Sequence, residues 1–232
     1  MYKKLGILGG MGPLATYTLY RNIIESTPAG CDQEHIDMVI LNACYIPDRT
    51  AGILGRGEPP LPYLLGALRQ LESCGCDLIA VPCNTSHYYY DEMQASCGAE
   101  ILNMVDLTAE ALAGGDGAAY IMATEGTIKT GVYQKYLKAR GVDYIVPADD
   151  EIAEMMRVIY AIKKGGRPEL GRLERMARRH GAVAVLGCTE FSTVAFKCAG
   201  HVDAMRVLQD KILALFGVGM QQESKNIEEN KK

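Results

Sequence analysis

The sequence predicts an α/β protein of two pseudo-symmetric domains, each a small parallel sheet flanked by helices, with the active site in the interdomain cleft. Three observations predict it. Short β-branched or aliphatic runs alternate with helix-length amphipathic segments along the whole chain. Two of those runs, Ile79-Ala80-Val81 and Val183-Ala184-Val185, each lead within a few residues into a cysteine and then a threonine. The 232 residues, 48% of them hydrophobic, suffice for one large core or two smaller ones.

The elements follow in order. Residues 5–8 form the first strand, and the turn at 9–13 places Pro13 where a helix-start proline belongs, opening a helix over 14–26. A second strand covers 36–41, with a loop at 44–50 beyond it, and a helix covers 61–74. The run at 78–81 is a strand ending at Pro82-Cys83-Asn84-Thr85, and 101–103 is a short fourth. A helix over 106–113 and the turn Gly114-Gly115-Asp116-Gly117 then open a second series. It comprises a strand at 118–122, a helix from Thr124-Glu125-Gly126-Thr127 to residue 140, a strand at 144–146, a helix at 151–164 and a strand at 182–186. The last strand ends at Gly187-Cys188-Thr189-Glu190, and a final helix at 203–216 is expected to pack back toward the first half. The expected domains are residues 1–105 with 206–220, and residues 106–205, followed by a mobile polar tail at 221–232. The likeness of the halves suggests an old duplication.

Composition removes several classes of function. Lys and Arg number 24 against 28 Asp and Glu, a net charge of −4, so the global balance does not favour a polyanionic partner. The basic stretch at 163–180 interleaves Glu169 and Glu174 with its arginines and reads as a solvated helix face rather than a nucleic-acid surface. With no long apolar run near the opening residues or elsewhere, no membrane association and a cytoplasmic location are expected. Eight cysteines are too sparse for a disulfide scaffold. Cys74-Gly75-Cys76 is too tight for the usual zinc pair and has no second pair, so no metal is expected. Cys31, Cys44, Cys74, Cys76, Cys97 and Cys198 read as small buried hydrophobes.

In open α/β sheets ligands bind beyond the carboxyl ends of the strands. Two such halves put Cys83 and Cys188 on opposite sides of one cleft, each at a strand-to-helix transition where a helix dipole would lower the thiol pKa. Inverting a carbon centre needs one group to remove a proton from one face and another to deliver a proton to the other, and two tunable thiols suit that task. Gly10-Met11-Gly12-Pro13-Leu14-Ala15 matches a loose dinucleotide fingerprint, but the second strand ends in Leu41-Asn42 without the acid that holds a ribose. It reads better as a tight turn whose amides face a small anion. Arg49 is either a solvated loop arginine or a fork for a carboxylate. Lys164, before Gly165-Gly166, complements a helix dipole. Tyr88-Tyr89-Tyr90 reads as helix packing.

Taken together, Leu8-Gly9-Gly10-Met11-Gly12-Pro13-Leu14-Ala15-Thr16, Ile46-Pro47-Asp48-Arg49-Thr50, Pro82-Cys83-Asn84-Thr85-Ser86-His87, Thr124-Glu125-Gly126-Thr127 and Leu186-Gly187-Cys188-Thr189-Glu190 resemble the aspartate/glutamate racemase family. The resemblance runs from about residue 5 to residue 216. It implies cofactor-independent racemisation of a small acidic amino acid, aspartate first and glutamate second, by a chain that is commonly a homodimer. It makes Cys83 and Cys188 the two acid/base thiols. It gives the α-carboxylate or ammonium end of the substrate to Met11, Asn84, Thr85 and Thr189, and the side-chain carboxylate to Arg49 and Lys164, with Thr124 lining the cleft. Ala204-Met205 stands where relatives carry hydroxyl residues. The rival readings are a thiol-dependent isomerase or decarboxylase of a small dicarboxylate, and a catalytically silent amino-acid-binding protein.

Overall fold

The computed structural model describes residues 2–179, 181–194, 196 and 200–218. The first half runs β1 (Leu5–Gly9), α1 (Pro13–Ser26), β2 (Met38–Asn42), α2 (Arg49–Ile53), α3 (Leu61–Ser73), β3 (Leu78–Ala80), a 3₁₀ segment (Asn84–Tyr89), α4 (Tyr90–Ala95) and β4 (Glu100–Leu102). After α5 (Met104–Leu112) come β5 (Ala119–Ala123), α6 (Glu125–Lys129), α7 (Val132–Ala139), β6 (Tyr144–Ile145), α8 (Asp149–Lys163) and α9 (Gly171–Arg179). The series ends with β7 (Val183–Gly187), β8 (His201–Asp203) and α10 (Ala204–Leu215).

Both sheets are four-stranded and parallel, with orders β2-β1-β3-β4 and β6-β5-β7-β8. The two orders are the same order, which carries the repeat from the sequence into the topology. In each half the chain direction across the sheet reverses beside the first strand, so a crevice opens at the carboxyl ends of β1 and β3, and again at β5 and β7.

Period-two burial holds the first sheet between two layers. Leu5, Ile7, Leu78 and Ala80 face a core shared with Leu19 of α1, Tyr120 of β5, Met155 of α8 and Leu208 of α10. Leu8, Ile79 and Val81 face the other side, against Leu64 and Leu68 of α3. Helix α10 packs on both α1 and α5, so the last helix ties the two halves through one apolar layer.

Several expectations need correction. The helix expected from 124 to 140 is two helices, because Gly131 turns the backbone left-handed at φ 71°. The loop at 44–50 ends in the short helix α2, capped by Asp48, whose Oδ1 accepts from the Ala51 amide at 2.8 Å. Strand β8 went unread because three residues carry too little periodicity to stand out. Cys31, Cys44 and Cys74 are exposed, the first two outside regular elements and the third as the C-cap of α3, whereas Cys76 and Cys97 are buried as expected. Cys198 and the tail at 221–232 lie outside the described residues. Among the described residues no helix is long and apolar enough to cross a membrane.

Candidate active site

Loops from the carboxyl ends of β1, β3, β5 and β7 converge on a small cavity of about 20 Å3, room for one or two waters. Met11, Arg49, Cys83, Asn84, Thr85, Thr124, Cys188 and Thr189 all line it. Lys164 does not. It is the exposed C-cap of α8, and the lysine that lines the cavity is its neighbour Lys163. The reason is helical phase. Met156, Ile159, Tyr160 and Lys163 all line the cavity and recur at three- and four-residue spacing on one face of α8, and one residue further on rotates the side chain by about 100°. Extending that stripe along the sequence would have selected Lys163.

The thiols occupy equivalent places. Cys83 follows β3 and Cys188 follows β7, the third strand of each half, and both are buried. Neither begins an α-helix. A 3₁₀ segment follows Cys83, and only a three-residue 3₁₀ turn, Phe191–Thr193, follows Cys188. The expected lowering of both pKa values by helix dipoles therefore fails for Cys188. Burial raises its thiol well above the ordinary value, and the neighbouring Glu190 carboxylate raises it further. The Cys188 Sγ donates to Glu190 Oε2 at 2.9 Å, and Lys163 Nζ donates to Oε1 at 2.5 Å. Burial pulls the Lys163 ammonium down, but Glu190 and the thiols outweigh it and hold it above its usual value.

Arg49 is buried, and its guanidinium is already held from within. Nη1 donates to the carbonyls of Ile46 (3.0 Å) and Pro47 (2.9 Å), and Nη2 to that of Met11 (3.3 Å). Nε has no partner. Of five donors, three are spent on fixing the plane, which leaves Nε and one Nη2 hydrogen as a side-on pair for a carboxylate. Asn84 repeats the theme. Its Oδ1 accepts from the buried Tyr133 hydroxyl at 2.6 Å, and its buried Nδ2 has no partner among the described residues. Orphaned buried donors are costly unless something occupies them, so these two mark where a ligand's oxygens belong.

Hydroxyls stitch the halves together behind the cavity. Thr85, Thr124 and Thr127 form a triangle with Oγ1 separations of 2.9, 3.0 and 3.0 Å, and Thr189 Oγ1 donates to the Pro82 carbonyl at 3.2 Å. Thr124 also caps α6. The glycine turn is less available to an anion than expected, because the Gly10 amide donates to Thr16 Oγ1 at 2.9 Å. Gly10 has φ 87°, and a Cβ there would lie 2.6 Å from the Ala43 amide nitrogen. His87 does not line this cavity. It is buried, its ring stacks on Tyr90, and its ring nitrogens meet backbone groups of Cys83, Leu102 and Met104. Beyond Lys163, residues that sequence reasoning did not place at the site are Glu190, Asp48, Thr50, Met156, Ile159 and Tyr160. Among the described residues no group of three His, Cys, Asp or Glu could hold a metal.

Residues 8–211 match the family described as Asp/Glu/Hydantoin racemase. The chain is 29% identical over 199 residues to the broad specificity amino-acid racemase RacX of Bacillus subtilis (strain 168), covering 82% of this chain and 86% of that protein. Its fold is similar to that of Picrophilus torridus aspartate racemase, with TM-score 0.81, 29% identity and coverage of 93% and 94% of the two chains. It is also similar to an aspartate racemase homologue from Pyrococcus horikoshii OT3, with TM-score 0.73, 25% identity and coverage of 93% and 99%. The paired strand-end thiols thus sit in a fold and a sequence context shared with racemases, and the chain belongs to the Asp/Glu/hydantoin racemase family as an amino-acid racemase.

Proposed function

We propose that the protein interconverts L- and D-aspartate, with glutamate as a second substrate, by two-thiol proton transfer at Cα and without pyridoxal phosphate. The observation that carries the reading is that Cys83 and Cys188, at matching strand ends of the two halves, line one cavity. One sulfur, as thiolate, takes the α-proton from its face, and the other, as thiol, delivers a proton to the opposite face. The roles exchange for the other enantiomer. The Glu190 carboxylate is placed to receive the Cys188 proton when that sulfur acts as base.

In this reading the side-on donors of Arg49 and the Lys163 ammonium take the side-chain carboxylate. Asn84 Nδ2, with Thr85, Thr124 and Thr189, takes the α-carboxylate or ammonium end, and Met11 contributes through its backbone. Donors fixed before the substrate arrives stabilise the charge that develops on the α-carboxylate as the proton leaves. We further propose a cytoplasmic homodimer. Tyr20, Ile24, Ile36 and Ile40 line a groove along α1 and the open edge of β2 that a second copy would cover, which sedimentation would test.

The test is incubation with each enantiomer of aspartate and glutamate in deuterated water, reading mass and chirality of the product. The expected result is deuterium at Cα together with loss of optical purity; Cys83→Ala and Cys188→Ala should each abolish the loss of optical purity, with exchange surviving only for the enantiomer whose α-proton faces the remaining thiol. Decarboxylation, or thermal stabilisation by ligand with no exchange, would favour the rival readings. Racemisation by either mutant at the parent rate would end the two-thiol scheme.

A further inference from the structure

The cavity at the thiols does not end blindly. Thr50, Met156 and Tyr160 line it and also line a second cavity of about 520 Å3 on the outer side, where Arg56, Glu125 and Lys129 stand. The inner space, about 20 Å3 and room for a water or two, is too tight for an amino acid as it stands, so a bound substrate displaces part of the lining, and these three residues are the lining that borders further space. The shared wall adjoins Arg49 and Lys163, which in the reading above take the substrate's side-chain carboxylate. Lengthening a side chain therefore drives it toward this wall.

The wall is held from both halves. Met156 and Tyr160 lie one turn apart on α8. The Met156 Sδ accepts from the Glu125 amide at 3.2 Å, and the Tyr160 hydroxyl donates to Asp48 Oδ2 at 3.4 Å. Beyond it, Glu125 is paired to Arg56 at 2.9 Å and to Lys129 at 2.9 Å, so the outer cavity has paired charges at its rim and the apolar bodies of Ile152, Ala153 and Met156 below. Met156 is an unbranched, adaptable side chain on the wall the two cavities share, the type of residue that gives way to one more methylene or refuses it according to its support. Its thioether is supported.

We propose that Met156, with Tyr160, sets the length of side chain the site accepts, and that the outer cavity receives what extends beyond them. This rests on the racemase reading of the cleft. The probe is the homologous series aspartate, glutamate and 2-aminoadipate, which changes one methylene at a time, against the parent, Met156→Ala and Met156→Phe. Binding is read by calorimetry and α-proton exchange by mass. One methylene in a shaped pocket changes discrimination by about tenfold or more. Met156→Ala should raise the preference for 2-aminoadipate over aspartate by about that factor, and Met156→Phe should lower glutamate relative to aspartate. Opposite movements cannot come from general destabilisation. Movement of both variants in the same direction, or ratios unchanged within about twofold, would overturn the proposal. Should Met156→Ala fail to fold, Tyr160→Ala opens the same wall and must shift the ratio the same way. A parent that binds the series but exchanges no α-proton would refute the racemase reading, while the affinity ratios would still decide the length filter.

Discussion

The Cys188 thiol and the Glu190 carboxylate share a hydrogen bond of 2.9 Å inside a buried pocket, and the other oxygen of that carboxylate is held by Lys163. A thiol, an acid and an ammonium thus form one line. Charge at any member changes the others, because little water intervenes.

Glu190→Gln should therefore move the titration of Cys188 to lower pH. Burial holds that thiol high first and the Glu190 charge second, so removing the charge leaves the burial effect alone and frees Lys163 to favour the thiolate. The measurement is the pH dependence of alkylation at the Cys188 peptide, followed by mass spectrometry in a Cys83→Ser background. The same variant should lose turnover, because the acceptor for the thiol proton is gone. A midpoint that stays put or rises would show that Glu190 does not govern the thiol.

Lys163 and Lys164 give a contrast of neighbours. Lys163→Met should reduce kcat/KM for acidic amino acids by about 10- to 100-fold, the loss of one charge-assisted hydrogen bond to a buried carboxylate. Lys164→Met removes an exposed helix-end charge and should leave kcat/KM within about twofold. Equal effects of the two substitutions would remove Lys163 from the site.

Gly126 sits at a close contact between the halves. A Cβ there would lie 2.9 Å from Thr50 Oγ1 and 3.0 Å from the Thr50 backbone. Gly126→Ala should push α2 and α6 apart, at a cost of about 1–3 kcal/mol typical of overpacking. Because Thr50 lines the cavity, activity should fall further than the melting temperature alone explains. A variant with parental Tm and parental kcat would show that the two helices separate freely.

His87 predicts a pH dependence of stability. As the neutral tautomer, its Nδ1–H donates to the Cys83 carbonyl at 2.9 Å and its Nε2 accepts from the Met104 amide at 3.2 Å. Burial holds its pKa below the ordinary value of 6.5, against smaller opposing effects of the Cys83 and Leu102 carbonyls. The unfolded chain therefore binds a proton that the folded chain refuses. Stability is present in full above the unfolded pKa and falls as pH drops below about 6.5 toward the folded pKa. Urea midpoints at about pH 7.5 and about pH 5.5 should differ more for the parent than for His87→Gln, whatever the variant's absolute stability. Parallel pH profiles for the two proteins would contradict this.

Local pattern was enough to read seven of the eight described strands, the strand-end cysteines and the glycine turn, because strand period, turn chemistry and residue type are carried by neighbours in the chain. Ile79 and Val185 announce their strands through residues beside them, and the Cys-x-Thr and Cys-Thr steps that follow mark equivalent positions without any coordinates. Gly131 was equally present as a letter, yet its left-handed backbone, which breaks one expected helix into two, became visible only in the fold.

What tertiary structure alone decided is direction and company. Whether Lys163 or Lys164 faces the cleft depends on a rotation of about 100° about an axis whose packing is set by distant residues. Whether Cys188 is raised or lowered depends on burial and on Glu190 turning inward, both consequences of how the second sheet closes against the first. The Arg49 guanidinium is committed to three carbonyls, one of them 38 residues away in the chain, and only that commitment leaves Nε as the donor still to be matched. Composition and spacing name the participants in the chemistry. Solvent exclusion and orientation, which are properties of the closed cleft, determine what each of them can do.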